Sequence, residues 1–255
     1  MYYSLLALFL IIGLVMGSFI HCLVSRCHRS ETLGGRSFCF GCNEPIAWYD
    51  NIPLLSWLLL KGRCRHCHCR IAIDHFILEL ASGLLYAFSF AYLWQKGEGW
   101  LSLTIYLAAI SLWLFVFLSD YFWLEIYLPP LLVGAALILI GQLFLGVSIW
   151  SLLFSVALGA AFFGAQYMAT RGKGMGSGDI YLGGLMGLIF PDWRLLLTAL
   201  FLSYILGTIL SLGLVLRTRK SLKTKVPLGV FLALGSLLAL FIGQQLLTWY
   251  LGLLL

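Results

Sequence analysis

The chain is poor in charge and poorer still in acid. Of its 255 residues only 10% are charged, and just ten are Asp or Glu. Soluble domains carry roughly 25% charged residues, so an ordinary water-soluble globule is excluded. Internal repeats are also missing, and with them the paired half-repeats common in transporters. The opening Met1-Tyr2-Tyr3-Ser4 lacks the positive n-region of a secretory signal, and no small-residue cleavage site follows the first apolar run. The first span is therefore expected to be retained. What remains is apolar: 62% of the residues are hydrophobic. They lie in runs that reach or approach the ~20 residues needed to cross a bilayer. The sequence predicts an all-α, polytopic membrane protein. Its net charge of +6 is no nucleic-acid signal, because the basic residues cluster between apolar runs.

Eight spans are predicted, at about 3–24, 76–94, 101–118, 127–145, 149–169, 180–190, 195–216 and 227–253. With the N-terminus outside, the loops 25–75, 119–126, 170–179 and 217–226 fall in the cytoplasm. All but Lys96 and Arg194 of the sixteen Lys and Arg lie in those loops, as the positive-inside rule requires. The sixth span is too short for a full crossing. Such a segment survives at membrane depth only when packed in protein or facing water.

Against this apolar background two acids stand out. Asp179 follows the break Gly174-Met175-Gly176-Ser177-Gly178, and Asp120 closes another apolar run on the same, cytoplasmic, side. A carboxylate at the mouth of a hydrophobic segment is costly, so its presence calls for a reason. A plain reading is a glycine-rich turn with a helix-capping aspartate. Two carboxylates held close offer more: one keeps a proton while the other is charged, the arrangement needed to activate water and polarise a peptide carbonyl. That chemistry needs tertiary contact between the third or fourth span and the sixth. Glu79, one turn into the second span, is either a paired structural acid or a functional one. A proton or cation relay and a non-enzymatic scaffold are the competing classes. Neither accounts for both the acids and the cysteines.

The soluble segment 25–75 is too small for a convincing core and needs a staple. Cys39-Phe40-Gly41-Cys42 and Cys64-Arg65-His66-Cys67 supply one, as a CxxC…CxxC pair suited to a structural zinc in a reducing cytoplasm. Cys69, His66 and His68 crowd the second knuckle and leave its second ligand open. Cys22 and Cys27 read as buried or interfacial thiols. The stretch from Asn51 to Leu60 is apolar enough to lie on the membrane surface or to pack under the metal site.

Taken together these residues resemble the type IV prepilin peptidases, the bilobed GxGD-type aspartic peptidases of the bacterial inner membrane. In family order run Gly17-Ser18-Phe19, the two knuckles, Asn51-Ile52-Pro53 through Ser56, Glu79-Leu80, Asp120, Gly174 to Asp179, and Val226-Pro227-Leu228-Gly229 with Phe231 to Gly235. The resemblance implies cleavage of the basic leader from type IV prepilins or secretion pseudopilins at the cytoplasmic face. It implies Asp120 and Asp179 as the catalytic pair, with Gly176 and Gly178 in the supporting loop. Cys39, Cys42, Cys64 and Cys67 are the implied zinc ligands. Many members also methylate the new N-terminus with S-adenosylmethionine. Three parts follow: a first transmembrane helix (1–24), a cytoplasmic zinc-binding domain (25–75) and a peptidase membrane domain (76–255). The N-terminus is expected in the periplasm. Because basic loops do not attract a basic leader, Glu79 is a candidate substrate contact. The chain departs from the family at Glu125-Ile126-Tyr127, where the usual proline is delayed to Pro129-Pro130. It departs also at Tyr181 for lysine, at His21 for asparagine and at Phe40 for proline. The change at Tyr181 removes a positive charge beside the acids.

Overall fold

A computed structural model describes residues 1–32, 34–218 and 227–254. Arg219, Lys220, Lys223 and Lys225, counted above in the charge balance, and Val226 of the last motif lie outside them. The helices are α1 (Tyr2–His28), α2 (Leu55–Leu59), α3 (Ile73–Lys96), α4 (Trp100–Trp123), α5 (Leu128–Phe144), α6 (Ile149–Thr170), α7 (Gly178–Ile189), α8 (Trp193–Thr218) and α9 (Leu228–Leu254). Apart from the short α2, every one follows an apolar run read from the sequence. Six are long and apolar enough to cross a membrane, and α5 and α7 are shorter apolar helices. The protein is an all-α, multi-pass membrane protein. Its chain divides into two units, Met1–Gly99 and Trp100–Leu255.

In the first unit α1 lies along α3, and small residues set the approach. A Cβ on Gly13 would stand 2.6 Å from the Ser82 carbonyl oxygen, and one on Gly17 2.8 Å from the Glu79 Cα. Close contact of this kind drives helix association where lipid leaves no hydrophobic gradient. His21 of α1 lies against His75 of α3, ring centroids 3.5 Å apart and the planes tilted by 30°. Between the helices the chain forms two cysteine hairpins, a 3-10 turn (Trp48–Asn51) and α2. In α2, Leu55, Leu58 and Leu59 are exposed while Ser56 is buried. The neighbouring Trp57 packs on Phe76, ring centroids 5.1 Å apart. At the start of α1's partner loop, buried Arg26 gathers the carbonyls of Thr32, Gly34, Gly35 and Arg36.

The second unit is a helical bundle organised around α7. At 12 residues α7 spans only ~18 Å, short of the ~30 Å hydrocarbon core. It is accordingly buried along most of its length, with Leu182 and Met186 fully enclosed. Gly159 of α6 and Gly183 of α7 meet backbone to backbone, and Gly187 rests on the Ser155 carbonyl, so neither helix tolerates a side chain there. From α5, Gln142 donates to the Leu188 carbonyl at the end of α7 at 3.4 Å. Helix α9 runs beside α4, where the Tyr106 hydroxyl donates to the Leu240 carbonyl at 3.1 Å.

Candidate active site and thiol cluster

Asp120 lies in the last turn of α4 and is buried at 7% exposure. Its partner is the start of α9. The first N–H groups of a helix have no intrahelical acceptor, and the helix dipole favours negative charge there. Val230 N–H donates to Asp120 Oδ2 at 3.2 Å, and Gly229 N–H adds a second bond. Gly229 makes this possible, since a Cβ would come within 2.9 Å of Oδ2. The start of α9, at Gly229 and Val230, is therefore a seat for the first aspartate, with Val230 110 residues away in sequence.

Asp179 lies in the first turn of α7 and is 8% exposed. Gly176 N–H donates back to its Oδ2 at 3.1 Å. Gly178 is needed for a different reason: a Cβ there would strike Ile126 Cδ1 at 2.7 Å. Ile126 is six residues beyond Asp120, and Gly178 immediately precedes Asp179. This contact ties the two aspartate-bearing segments together, and the Asp120 carboxyl acts on Asp179 through space. The chemistry called for contact between the third or fourth span and the sixth; α5, the fourth span, packs on α7, and Ile126 in the loop after α4 meets the start of α7. Tyr204 of α8 also lies within the electrostatic reach of Asp179, and its hydroxyl donates to Gln166 Oε1 at 3.0 Å. Sequence reading passed over both residues, because neither stands in a motif. Glu125, five residues beyond Asp120, accepts from the Tyr127 hydroxyl.

Glu79 belongs to the first unit. Its Oε2 accepts the Leu54 N–H at 2.7 Å, and the Ser18 hydroxyl also bonds to it. Leu54 has a left-handed backbone (φ 59), a costly state for a branched residue, and the buried carboxylate holds it there. Ser56 completes the loop by donating to the Tyr49 carbonyl and accepting the Ile52 N–H. The motif residues Ser18, Asn51 to Ser56 and Glu79 thus form one clasp.

The two cysteine hairpins match residue for residue. Cys39 N–H donates to the Glu44 carbonyl and Cys64 N–H to the Cys69 carbonyl, both at 2.9 Å. Asn43 and His68 take left-handed backbones, φ 58 and 55, and donate back to Cys39 and Cys64. Bridges Phe38–Pro45 and Arg63–Arg70 close the two loops. The sulfurs of Cys39, Cys64, Cys67 and Cys69 all lie within 4.8 Å of one another. Cys42 lies against this group, its thiol interacting with those of Cys67, Cys39 and Cys64. Tetrahedral Zn–S bonds of ~2.3 Å place sulfurs ~3.8 Å apart. The Cys39–Cys67 separation is 3.7 Å and the Cys39–Cys69 separation 3.4 Å, so the donor set fits a thiolate-bound metal.

The thiols are polarised toward that use. Burial opposes the Cys39 thiolate, but the Gly41 and Cys42 N–H groups and the Cys69 and Cys64 thiols outweigh it and bring its pKa down to about 6. Hydrogen bonding from Cys67 and Cys39 pushes Cys69 up to about 12. Crowded thiols ionise one at a time unless a cation neutralises them. Arg65 braces the second hairpin with a two-pronged bond to Asp50, at 2.8 and 2.5 Å, and holds that carboxyl below the usual carboxylate range.

A multi-pass helical chain with two buried, interacting aspartates and a cluster of four thiols that could hold a metal carries the residues of a membrane hydrolase. Residues 11–93 match the Bacterial Peptidase A24 N-terminal domain. The chain is 30% identical to the prepilin leader peptidase/N-methyltransferase of Aeromonas salmonicida, over 99% of this chain and 94% of that protein. It is 33% identical to the protein of the same name from Aeromonas hydrophila, over 85% and 74%. With that of Myxococcus xanthus it shares 32% identity, over 85% and 65%. No solved structure matches. The chain belongs to the prepilin leader peptidase/N-methyltransferase family.

Proposed function

We propose that this chain is an aspartic endopeptidase that removes the basic leader from type IV prepilins or pseudopilins. The observation that supports the reading is that Asp120 and Asp179 lie within electrostatic reach of each other. Both are buried, each is held by a backbone N–H, and the Ile126–Gly178 contact joins their segments. Two carboxyl groups so placed hold one proton and one negative charge between them. The charged member takes a proton from water, and the resulting hydroxide attacks the peptide carbonyl, which the protonated member polarises. The tetrahedral intermediate then expels the amine as it receives a proton from the pair. No covalent intermediate forms. We assign the two roles to the pair and not to single residues.

The leader's junction with an apolar helix lies naturally at the membrane interface. This favours a site at the cytoplasmic face of the bacterial inner membrane, with the N-terminus in the periplasm. Zinc is the ion whose four-sulfur tetrahedron suits the hairpins, with Cys39, Cys42, Cys64 and Cys67 as the set drawn from the paired motif and Cys69 beside them. Its role is structural. Glu79 remains the candidate leader contact in the first unit, although its bonds to Leu54 and Ser18 favour anchoring the loop. The second activity in the relatives' name implies S-adenosylmethionine, which supplies a methyl group to the freed amine.

The test is incubation of the purified protein with a full-length prepilin in lipid, with product masses read by mass spectrometry. Loss of the leader at a single junction is expected. An uncut prepilin contradicts the proposal and returns the acids to a relay function.

A further inference from the structure

The second hairpin carries one cysteine more than the first. By the matched hydrogen bonds Cys39 corresponds to Cys64, Cys42 to Cys67, and Cys69 to Glu44. A side chain at Cys69's position is not required by the knuckle, yet its sulfur turns inward. It lies 3.4 Å from Cys39 Sγ and presses on Gly41, where a Cβ would come within 2.9 Å of it. The sulfurs of Cys39, Cys64 and Cys67 lie within 4.8 Å of that of Cys69, and the Cys42 thiol interacts with the same three. Three sulfurs thus have two further thiols within reach of the one place left in a four-ligand set.

We infer that Cys42 and Cys69 are interchangeable fourth ligands of the metal held by Cys39, Cys64 and Cys67. The exchange is a proton transfer without redox change. The incoming thiol gives up its proton, the outgoing thiolate accepts one, and the metal keeps four sulfurs throughout. Cys42 sits in the hairpin that begins the segment and Cys69 in the one that ends it. The metal thus keeps both hairpins through Cys39 and Cys64 whichever thiol completes the set. The inference rests on the zinc reading above and goes beyond the paired CxxC pattern, which has no place for Cys69.

The experiment uses the full-length protein loaded with zinc in detergent. Zinc per chain is measured after challenge with a competing chelator for wild type, Cys42→Ser, Cys69→Ser and the double variant. Both single variants should retain zinc as wild type does. The double variant should lose it at least ~10-fold more readily, since even outer-shell changes cost about that much. A single variant that loses zinc like the double one assigns the fourth position to that cysteine alone and overturns the inference. A double variant that retains zinc like wild type overturns it also. Cobalt(II) loading of the single variants gives a reading independent of how the double variant folds. The thiolate charge-transfer intensity should equal that of wild type in both, and a drop in either contradicts exchange. A wild type that holds no zinc defeats the zinc reading itself, an outcome distinct from a zinc-bound protein in which one single variant fails.

Discussion

The two units handle reactive side chains in opposite ways. The first gathers five thiols from two short hairpins in a segment with little apolar core, whereas the second places two carboxyl groups on helices packed by glycine contacts. In the first, side chains from both hairpins share one centre, and a cation bound there would join the hairpins through their sulfurs. In the second, the backbone organises the side chains: N–H groups at Gly176, Gly229 and Val230 hold carboxylates that the bundle has already brought together. If both proposals hold, a staple tolerates redundancy and a proton-sharing pair does not.

This contrast can be broken or sharpened by substitution. The largest effect is expected at the acids. Asp120→Asn and Asp179→Asn should each reduce leader cleavage on the order of 10³-fold, within the range of general acid–base groups. Zinc content should stay that of wild type in both. Next comes Gly229→Ala, whose new Cβ meets the Asp120 carboxylate. A displaced catalytic group costs about 10²-fold, so cleavage should fall by roughly that factor with zinc retained. Cys64→Ser should act on the other unit: zinc is lost, and limited proteolysis within residues 29–72 should speed up about 10-fold as the hairpins loosen. The smallest effect is expected for Asp50→Asn, a slight drop in the denaturation midpoint, because the Arg65 side of the pair lies half in solvent. Because Arg65 lowers the Asp50 pKa, the wild-type contribution is present above the ordinary carboxylate range. It is lost as pH falls through the lowered folded value, so the variant and wild type should converge in acid.

Much of this was legible in the sequence for simple reasons. Apolar runs announce helices because a bilayer demands them, and an acid among them is rare enough to be noticed. Asp120 and Asp179 stood out on scarcity alone, and the knuckles on spacing. Other features were hidden because they depend on contacts far apart in the chain. Nothing local to Gly229 shows that it seats an aspartate on α4, and nothing near Glu79 shows that it holds the Leu54 N–H. The inward turn of Cys69 follows from the fold of its hairpin, which spacing does not encode. Tyr204 and Gln166 carry no motif at all, and only helix packing joins them and brings Tyr204 within reach of Asp179.

The most direct test of the central claim is the non-additivity of the two acids. Cleavage rates should be compared for Asp120→Asn, Asp179→Asn and the double variant at equal protein and zinc content. Groups that act as one unit lose their function together, so the double variant should be no slower than either single one. If instead the double variant is slower by the product of the two single effects, or one single variant cuts at the wild-type rate, Asp120 and Asp179 do not form a catalytic pair.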